Sequence, residues 1–368
     1  MVECVPKKKI LMVINRLAVG GAERQVIDDY NELYSLGNES VLLTLRPEKE
    51  ESLGGELISK EHWHTIPFSG FFDVSSWRKL LCFLKKEKPD IVLSHLWFAN
   101  SITRISSVLA GVKNVFVFEQ NIYDSIKSPK QFLLDRLLQK WTRKIIAVSG
   151  AVKGSLLRHG INENKIIVLH NSVDLERFEG LLDVDIQNFK DEYNLNDSFI
   201  ITTIGRLTRQ KNMKLAMDAL ALVSNAKLLI VGIGELEGEL MEYAERVGVS
   251  DRVLFMGVRS DIPVILLASD CFLLTSLFEG LGIVILEAMA AGLPVVVTDF
   301  EVVYELVRHQ ETGMIAVYEA EIIAQYIKDI QKDDVLRANL GLHAKDAVQK
   351  FSSKAHARRL LDIMESNE

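Results

Sequence analysis

Two carboxylates flank a glycine-rich turn late in the chain, at Glu279 and Glu287 in the stretch SLFEGLGIVILEAMAAGLPVVVTD (276–299). Gly280 and Gly282 suit a turn in which backbone N–H groups come close to a ligand, because glycine reaches positive φ at low cost and has no Cβ. Residues 283–291 predict a helix, and a helix N-terminus favours phosphate oxygens. Carboxylates would repel phosphate, so we expect them to accept hydrogen bonds from sugar hydroxyls of the same ligand.

Two cations precede this turn in GRLTRQKN (205–212), at Arg206 and Lys211. Arg206 follows a predicted strand directly, and Lys211 lies near the start of the next predicted helix. Both side chains can therefore face one ligand at the end of the strand. Two fixed cations would neutralise a diphosphate leaving group, which is the main electrostatic task in transfer from a nucleotide sugar. Solvated surface cations are the alternative interpretation.

The elements that must position these residues alternate between strand and helix. Apolar runs predict strands at 10–14, 40–45, 91–94, 115–118, 145–148 and 166–168, and a second series at 199–204, 227–231, 253–256 and 271–275. Helical spacing is found at 22–36, 77–88, 214–223 and 235–247. This β-α-β order predicts an α/β protein with parallel, doubly wound sheets and function at the carboxyl ends of the strands.

The length of 368 residues predicts two domains. We expect an N-terminal Rossmann-like domain over 1–175, joined by a C-terminal helix within 352–368, and a second Rossmann-like domain over 176–351. The cleft between two such domains is a common place for a ligand.

Four segments together resemble one known family. GRLTRQKN and SLFEGLGIVILEAMAAGLPVVVTD, with GGAER (20–24) and HNSVDLERF (170–178), closely resemble the retaining family 4 glycosyltransferases of the GT-B fold, including their E-x7-E motif. The resemblance covers nearly the whole chain. It implies an N-terminal acceptor-binding domain and a C-terminal domain that binds the nucleotide-sugar donor.

The resemblance also implies a role for individual residues. Arg206 and Lys211 would hold the donor diphosphate and, with Glu279 on the transferred sugar, form the catalytic set. Glu287 would bind the ribose hydroxyls, and Val258 would lie at the binding site of the nucleotide base. The remaining donor-binding positions implied are Gly21, Gly205, Gly280, Leu281, Gly282 and Ile283.

The acceptor side departs from the family pattern. Where relatives often have Glu-His-Asn or Glu-Arg-Asn, this chain has Glu119-Gln120-Asn121, and the neutral amide of Gln120 cannot take a proton from a hydroxyl. His95 is the other cleft-facing candidate for the acceptor side, and a structural histidine beside Trp97 and Phe98 is the alternative interpretation. In a front-face retaining reaction the departing phosphate oxygen can itself accept the proton. A second departure is the bulky loop 299–305, where relatives often have Gly-Gly before the glutamate.

No cofactor and no metal are expected, because Arg, Lys and helix N–H groups would neutralise the diphosphate. Asp183-Val184-Asp185 looks like the metal-binding DxD of another transferase fold, but no glycine turn follows it. Cys4, Cys82 and Cys271 have no metal spacing and are interpreted as free thiols. The absence of a signal-like apolar segment predicts a cytoplasmic protein, with the inner face of the membrane as a further place of action.

Residues 130–144 (KQFLLDRLLQKWTRK) have the spacing of an amphipathic helix, whose apolar face is formed by Leu133, Leu134, Leu137, Leu138 and Trp141. A helix packed on the sheet with solvated charges is one interpretation. Reversible docking on an anionic membrane is the other. Residues 1–175 carry a net charge of +5 within a chain of −7, which favours a contact of that half with an anionic surface.

The sequence therefore predicts a retaining glycosyltransferase that moves a sugar from a nucleotide diphosphate, with UDP as the expected nucleotide, to a glycan or polyprenyl-linked acceptor in cell-surface polysaccharide or glycoprotein assembly. No nucleic-acid partner is expected. The alternatives are a nucleotide-sugar epimerase of the same fold and an inactive protein that binds nucleotide sugars or glycans.

Overall fold

The computed structural model describes residues 7–48, 52–122, 124 and 126–366, so Cys4 lies outside the described residues. The chain forms two compact units. Unit 1 comprises Met1–Ser172 with Ser353–Glu368, and unit 2 comprises Val173–Ser352. Both are α/β domains of the Rossmann-like type, each built on one parallel sheet.

Unit 1 contains a seven-stranded sheet in the order β3-β2-β1-β4-β5-β6-β7. Its strands are β1 (Lys9–Ile14), β2 (Glu39–Thr44), β3 (Trp63–Thr65), β4 (Ile91–His95), β5 (Val115–Glu119), β6 (Lys144–Ala147) and β7 (Ile166–Val168). Its helices in this part of the chain are α1 (Gly21–Ser35), α2 (Val74–Glu87), α3 (Trp97–Ala110), α4 (Pro129–Leu138) and α5 (Gly150–Arg158). The strand order reverses between β1 and β4, which is the usual position of a ligand site in such sheets.

Unit 2 contains a six-stranded sheet in the order β10-β9-β8-β11-β12-β13. Its strands are β8 (Phe199–Ile204), β9 (Ala226–Val231), β10 (Val253–Gly257), β11 (Cys271–Leu274), β12 (Val295–Thr298) and β13 (Met314–Ala316). Its helices are α6 (Asp183–Glu192), α7 (Met213–Ala221), α8 (Glu237–Arg246), α9 (Ile262–Leu267), α10 (Ile283–Ala290), α11 (Val303–Leu306), α12 (Ala320–Lys332) and α13 (Asp334–Ala347). Here the order reverses between β8 and β11.

The central strands are apolar along their whole length because helices cover both faces of a parallel sheet. All six residues of β8 are buried, as are all four of β11 and of β12. Side chains of α7 and α12 pack on them through residues such as Met217 and Ile327. The two sheets therefore form rigid bases, and the loops at their carboxyl ends are available for binding.

The last helix, α14 (Ser353–Glu365), belongs to unit 1 and packs on α1. The Ser353 hydroxyl donates to Glu32 Oε1 at 2.7 Å, and His356 Nδ1–H donates to the His170 carbonyl at 2.8 Å. His356 Nε2 lies 3.2 Å from Asp29 Oδ1, and both side chains are buried. The first domain is thus completed by a helix that follows the whole of unit 2 in sequence.

The predicted amphipathic helix over 130–144 is shorter in the structure. Helix α4 ends at Leu138 and continues as a 3-10 turn at Gln139–Trp141, and Lys144 pairs with Phe116 as the first residue of β6. The hydrogen-bonded register of the sheet therefore overrides the helical spacing of the side chains. The prediction was wrong for the last residues of the segment.

Four charged side chains are buried together around Lys127, which lies between β5 and α4. Lys127 Nζ lies 3.0 Å from both Glu119 Oε2 and Asp135 Oδ2, and Arg104 pairs with the other oxygen of Asp135. No side chain of the four is more than 5% exposed. We call this group the buried quartet; it ties α3, α4 and the end of β5 to one another.

Candidate functional site

The donor residues predicted from the sequence lie on two loops of unit 2, one after β8 and one after β11. These strands are neighbours at the point where the sheet order reverses. The Gln210 side-chain amide donates to the Phe278 carbonyl at 2.7 Å, and the Leu277 N–H donates to the Gln210 carbonyl at 2.8 Å. The Thr275 hydroxyl adds bonds to the carbonyls of Lys211 and Asn212. The two loops therefore form one hydrogen-bonded surface.

Glu279 and Lys211 meet directly on this surface. Lys211 Nζ lies 2.7 Å from Glu279 Oε1, and the Ser276 hydroxyl donates to the same oxygen at 2.5 Å. Glu279 is 7% exposed, so its charge needs such partners. The pair places one carboxylate and one ammonium group side by side where the loops after β8 and β11 meet.

The second carboxylate of E-x7-E also has a cationic partner. Glu287, on α10, accepts from Arg177 Nη1 at 3.2 Å through Oε1. Arg177 belongs to the segment HNSVDLERF (170–178), and no role was predicted for it from the sequence. Arg206 is different, because its exposed guanidinium pairs with no residue in the described part of the chain.

Glycines allow the neighbouring backbones to come into contact at this edge of the sheet. A Cβ at Gly232, where φ is +130°, would lie 2.2 Å from the Gly205 carbonyl oxygen. A Cβ at Gly234 would lie 2.3 Å from the Leu207 carbonyl oxygen, and one at Gly205 would lie 2.8 Å from Lys211 Cε. The loop backbones next to Arg206 and Lys211 are thus closely packed against each other.

Helix α10 begins directly after Gly282, whose φ of +91° lets the chain turn into the helix. Leu281 and Ile283 are buried on either side of it, and Gly280 is also buried. The first N–H groups of such a helix have no helical acceptor and favour an anion. Val258 is half-buried and lies farther along the same sheet edge, directly after β10.

Two residues that hold the loop after β11, which carries Glu279, were not predicted from the sequence. The Thr298 hydroxyl donates to the Ser276 carbonyl at 2.7 Å, and the Tyr318 hydroxyl lies 3.2 Å from the carbonyls of both Ser276 and Leu277. Burial is the main cause that raises the pKa of Tyr318. Thr298 ends β12 and Tyr318 follows β13, so their positions at strand ends were the available signal.

The other predicted residues belong to unit 1. Gly21 is exposed and begins α1. Gln120 Nε2 lies 3.3 Å from His95 Nδ1, and Asn171 Nδ2 donates to Gln120 Oε1 at 2.8 Å. His95 and Gln120 are thus brought together as a pair.

His95 is not accessible to solvent, which contradicts the interpretation as a cleft-facing side chain and agrees with the structural one. Its ring is fully buried and stacks on Phe118 with the ring centroids 4.4 Å apart. Burial lowers the pKa of His95 to about 4, so the ring is neutral at neutral pH. The neighbouring side chains of β4 and β5 keep it inside the sheet layer, where its Nδ1 lies 3.3 Å from the side-chain amide of Gln120.

Over residues 7–48, 52–122, 124 and 126–366, no group of three or more His, Cys, Asp or Glu side chains is arranged to hold a metal ion. The residues Asp183 and Asp185 instead occupy the first turn of α6. Within the same ranges, no helix is both long and apolar enough to cross a membrane. Cys82 is an exposed free thiol and Cys271 a buried one.

Two family models match the chain. Residues 19–177 match Glycosyltransferase Family 4, and residues 185–347 match Glycosyl transferases group 1. A UDP-Gal:alpha-D-GlcNAc-diphosphoundecaprenol alpha-1,3-galactosyltransferase of Escherichia coli is 34% identical over 262 residues, which is 66% of each chain. The capsular polysaccharide biosynthesis glycosyltransferase CapM of Staphylococcus aureus is 27% identical over 79% of this chain and 81% of its own.

Solved structures share the fold over nearly the whole length. HepE of Anabaena, in complex with UDP-glucose, superposes with a TM-score of 0.86 at 22% identity, covering 96% of this chain and 98% of that one. WaaG, a glycosyltransferase involved in lipopolysaccharide biosynthesis, superposes with a TM-score of 0.74 at 15% identity, covering 97% and 100%. The two family models and the E. coli relative show that the chain is a glycosyltransferase of family 4, and the solved structures show its GT-B fold.

Proposed function

We propose that this enzyme transfers a sugar, with retention, from a UDP-sugar to a glycan or polyprenyl-linked acceptor in cell-surface polysaccharide or glycoprotein assembly. The observation that carries the proposal is the pairing of Glu279 with Lys211 on loops that converge at the switch point of the unit 2 sheet. The E. coli relative is named for a UDP-Gal donor and an undecaprenol-linked acceptor, and HepE binds UDP-glucose. These names support the substrate classes proposed for this chain.

In the proposed reaction the bond between the sugar C1 and the diphosphate breaks, and the acceptor oxygen bonds to C1 on the same face. The acceptor proton passes to the departing phosphate oxygen, so the products are the glycosylated acceptor and UDP. Arg206, Lys211 and the N-terminus of α10 stabilise the negative charge that develops on the diphosphate. Because these groups already supply positive charge, the proposal includes no metal ion and no cofactor.

Within the donor site, Glu279 accepts hydrogen bonds from the transferred sugar and Glu287 accepts them from the ribose. Gly205, Gly280, Leu281, Gly282 and Ile283 contribute backbone close to the diphosphate and the sugar. Val258 contacts the nucleotide base. Gln120 hydrogen-bonds the acceptor and is held by His95.

A panel of nucleotide sugars tests the donor. A ligand present at about a hundred times its Kd stabilises the folded state by about 2.7 kcal/mol. Because UDP is the proposed nucleotide, we expect UDP-sugars to bind more tightly than GDP-, ADP- or dTDP-sugars and to raise the melting temperature more. Product analysis with and without acceptor then separates transfer from epimerisation. No melting shift with any donor would contradict the proposed function, and a free sugar epimer formed from donor alone would favour an epimerase.

We also propose that unit 1 docks on an anionic membrane through α4 and the 3-10 turn after it. Leu133, Leu137 and Trp141 are 52%, 50% and 49% exposed, whereas Phe132 and Leu138 face the core. Exposed basic side chains flank this surface at Lys130, Arg136 and Lys140. Partly exposed apolar groups beside basic ones suit the headgroup region of an anionic bilayer.

Sedimentation with liposomes tests the membrane contact. The wild type is expected to sediment with vesicles that contain anionic lipid at low salt and to be released by high salt, since charge attraction is screened. Leu137→Glu should reduce the bound fraction severalfold, because it places a carboxylate in the proposed contact. Leu342→Glu, at a similarly exposed position on α13 (61%, against 50% for Leu137), is the matched control. Equal binding by the two variants would contradict the proposed surface.

A further inference from the structure

Each carboxylate of E-x7-E pairs with one cation, and only one of the two cations has a role in the proposed function. Lys211 pairs with Glu279 and contacts the donor diphosphate in the proposed function. Arg177 pairs with Glu287 and is assigned to no step. Its side chain is 15% exposed and that of Glu287 is 9% exposed, so the contact is largely shielded from water.

The backbone turn that carries Arg177 is held in place by local contacts. Arg177 lies in the 3-10 turn Leu175–Phe178, near the start of unit 2. Asp174 Oδ1 accepts from the Glu176 N–H at 3.0 Å at the beginning of this turn, and Phe178 is buried at its end. The turn packs on α9, so Arg177 extends from a supported backbone towards α10.

The contact occupies only part of the carboxylate. Arg177 Nη1 donates to Oε1 of Glu287, whereas Oε2 has no partner in the described part of the chain. A carboxylate has about four acceptor positions, so Glu287 retains enough of them for a pair of vicinal hydroxyls. A guanidinium is planar and always charged, which lets it compensate a buried carboxylate and also fix its orientation.

We propose that Arg177 is a positioning residue for the ribose: it holds Glu287 in the rotamer that directs Oε2 to the 2′- and 3′-hydroxyls of the donor. Arg177 itself touches no substrate. The inference rests on the proposed function, in which Glu287 binds the ribose.

Binding of UDP and of 2′,3′-dideoxy-UDP, measured by calorimetry, tests the role. The wild type should prefer UDP by about tenfold or more, since hydrogen bonds to a charged group contribute about 1.5–3 kcal/mol. Arg177→Ala should lower this ratio at least threefold and leave the affinity for dideoxy-UDP within twofold. In transfer assays it should raise the KM for the donor and leave kcat within twofold.

Three further variants separate positioning from a purely structural role. Glu287→Gln should lose the preference for UDP, and Arg177→Ala combined with it should lose no more, because the two residues act as a unit. Arg177→Lys keeps the charge and should restore part of the preference, which also serves if Arg177→Ala folds poorly. An unchanged UDP preference in Arg177→Ala would overturn this role alone, whereas a wild type that binds no UDP would overturn the proposed donor together with it.

Discussion

Glu279→Gln is expected to lower kcat by about a hundredfold to a thousandfold, the range found when one group that stabilises a transition state is removed. The carboxamide has nearly the same size as the carboxylate and can still accept from Ser276. It lacks the charge that pairs with Lys211 and that orients the transferred sugar. Steady-state transfer with the donor identified by thermal shift measures the effect, and the melting temperature should stay nearly unchanged.

Lys211→Ala is expected to be similarly inactive, because it removes a cation from the diphosphate and leaves Glu279 without its ionic partner. Lys214→Ala is the matched control: Lys214 lies three residues on, in α7, and its partner Glu239 is on the surface. The control should retain nearly full activity. Full activity in Glu279→Gln or Lys211→Ala would exclude the assigned site.

Lys127→Met is expected to destabilise unit 1 by about 3–5 kcal/mol, because removal of one member of a buried ionic group leaves charges uncompensated. Glu119 and Asp135 each lie 3.0 Å from the Lys127 ammonium group in the buried quartet. Methionine has a similar length and is apolar, so lost packing contributes little. Urea unfolding followed by a probe in unit 1 measures the change.

Two comparisons identify charge as the cause of this loss. Lys130→Met, at an exposed position of α4, should change the free energy of unfolding by less than about 0.5 kcal/mol. Lys127→Met combined with Glu119→Gln should recover part of the loss, since the remaining charges of Arg104 and Asp135 balance. A loss below about 1 kcal/mol in Lys127→Met would contradict the importance of the quartet.

Much of the architecture was predictable from local patterns. The strand predicted at 199–204 has the observed bounds Phe199–Ile204, and the helix predicted at 283–291 is observed at Ile283–Ala290. Both lie in long apolar or small-residue runs where periodicity and glycine signals agree. Local patterns did not predict the end of the segment 130–144, because Lys144 pairs with Phe116 of β5, a strand that is distant in sequence.

The site residues divide in the same way. Glu279 and Lys211 were predictable because glycines and strand ends mark their loops, but their direct pairing joins positions 68 residues apart. The roles of Thr298 and Tyr318 depend on which strands are neighbours, which no local pattern contains. The burial of His95 likewise follows from its stacking on Phe118 in the adjacent strand. Three-dimensional contacts therefore decide which strand-end residues support the site.

The position of α14 has a consequence for biosynthesis. Unit 1 begins before unit 2, yet the helix that covers α1 is synthesised only after the whole of unit 2. During translation the α1 surface that receives Ser353 and His356 stays uncovered while all of unit 2 is made. Unit 2 is continuous and can fold as it emerges, as domains generally do. The domain that starts first is thus completed only after the second, and a chain cut short before residue 353 leaves the α1 surface of unit 1 exposed.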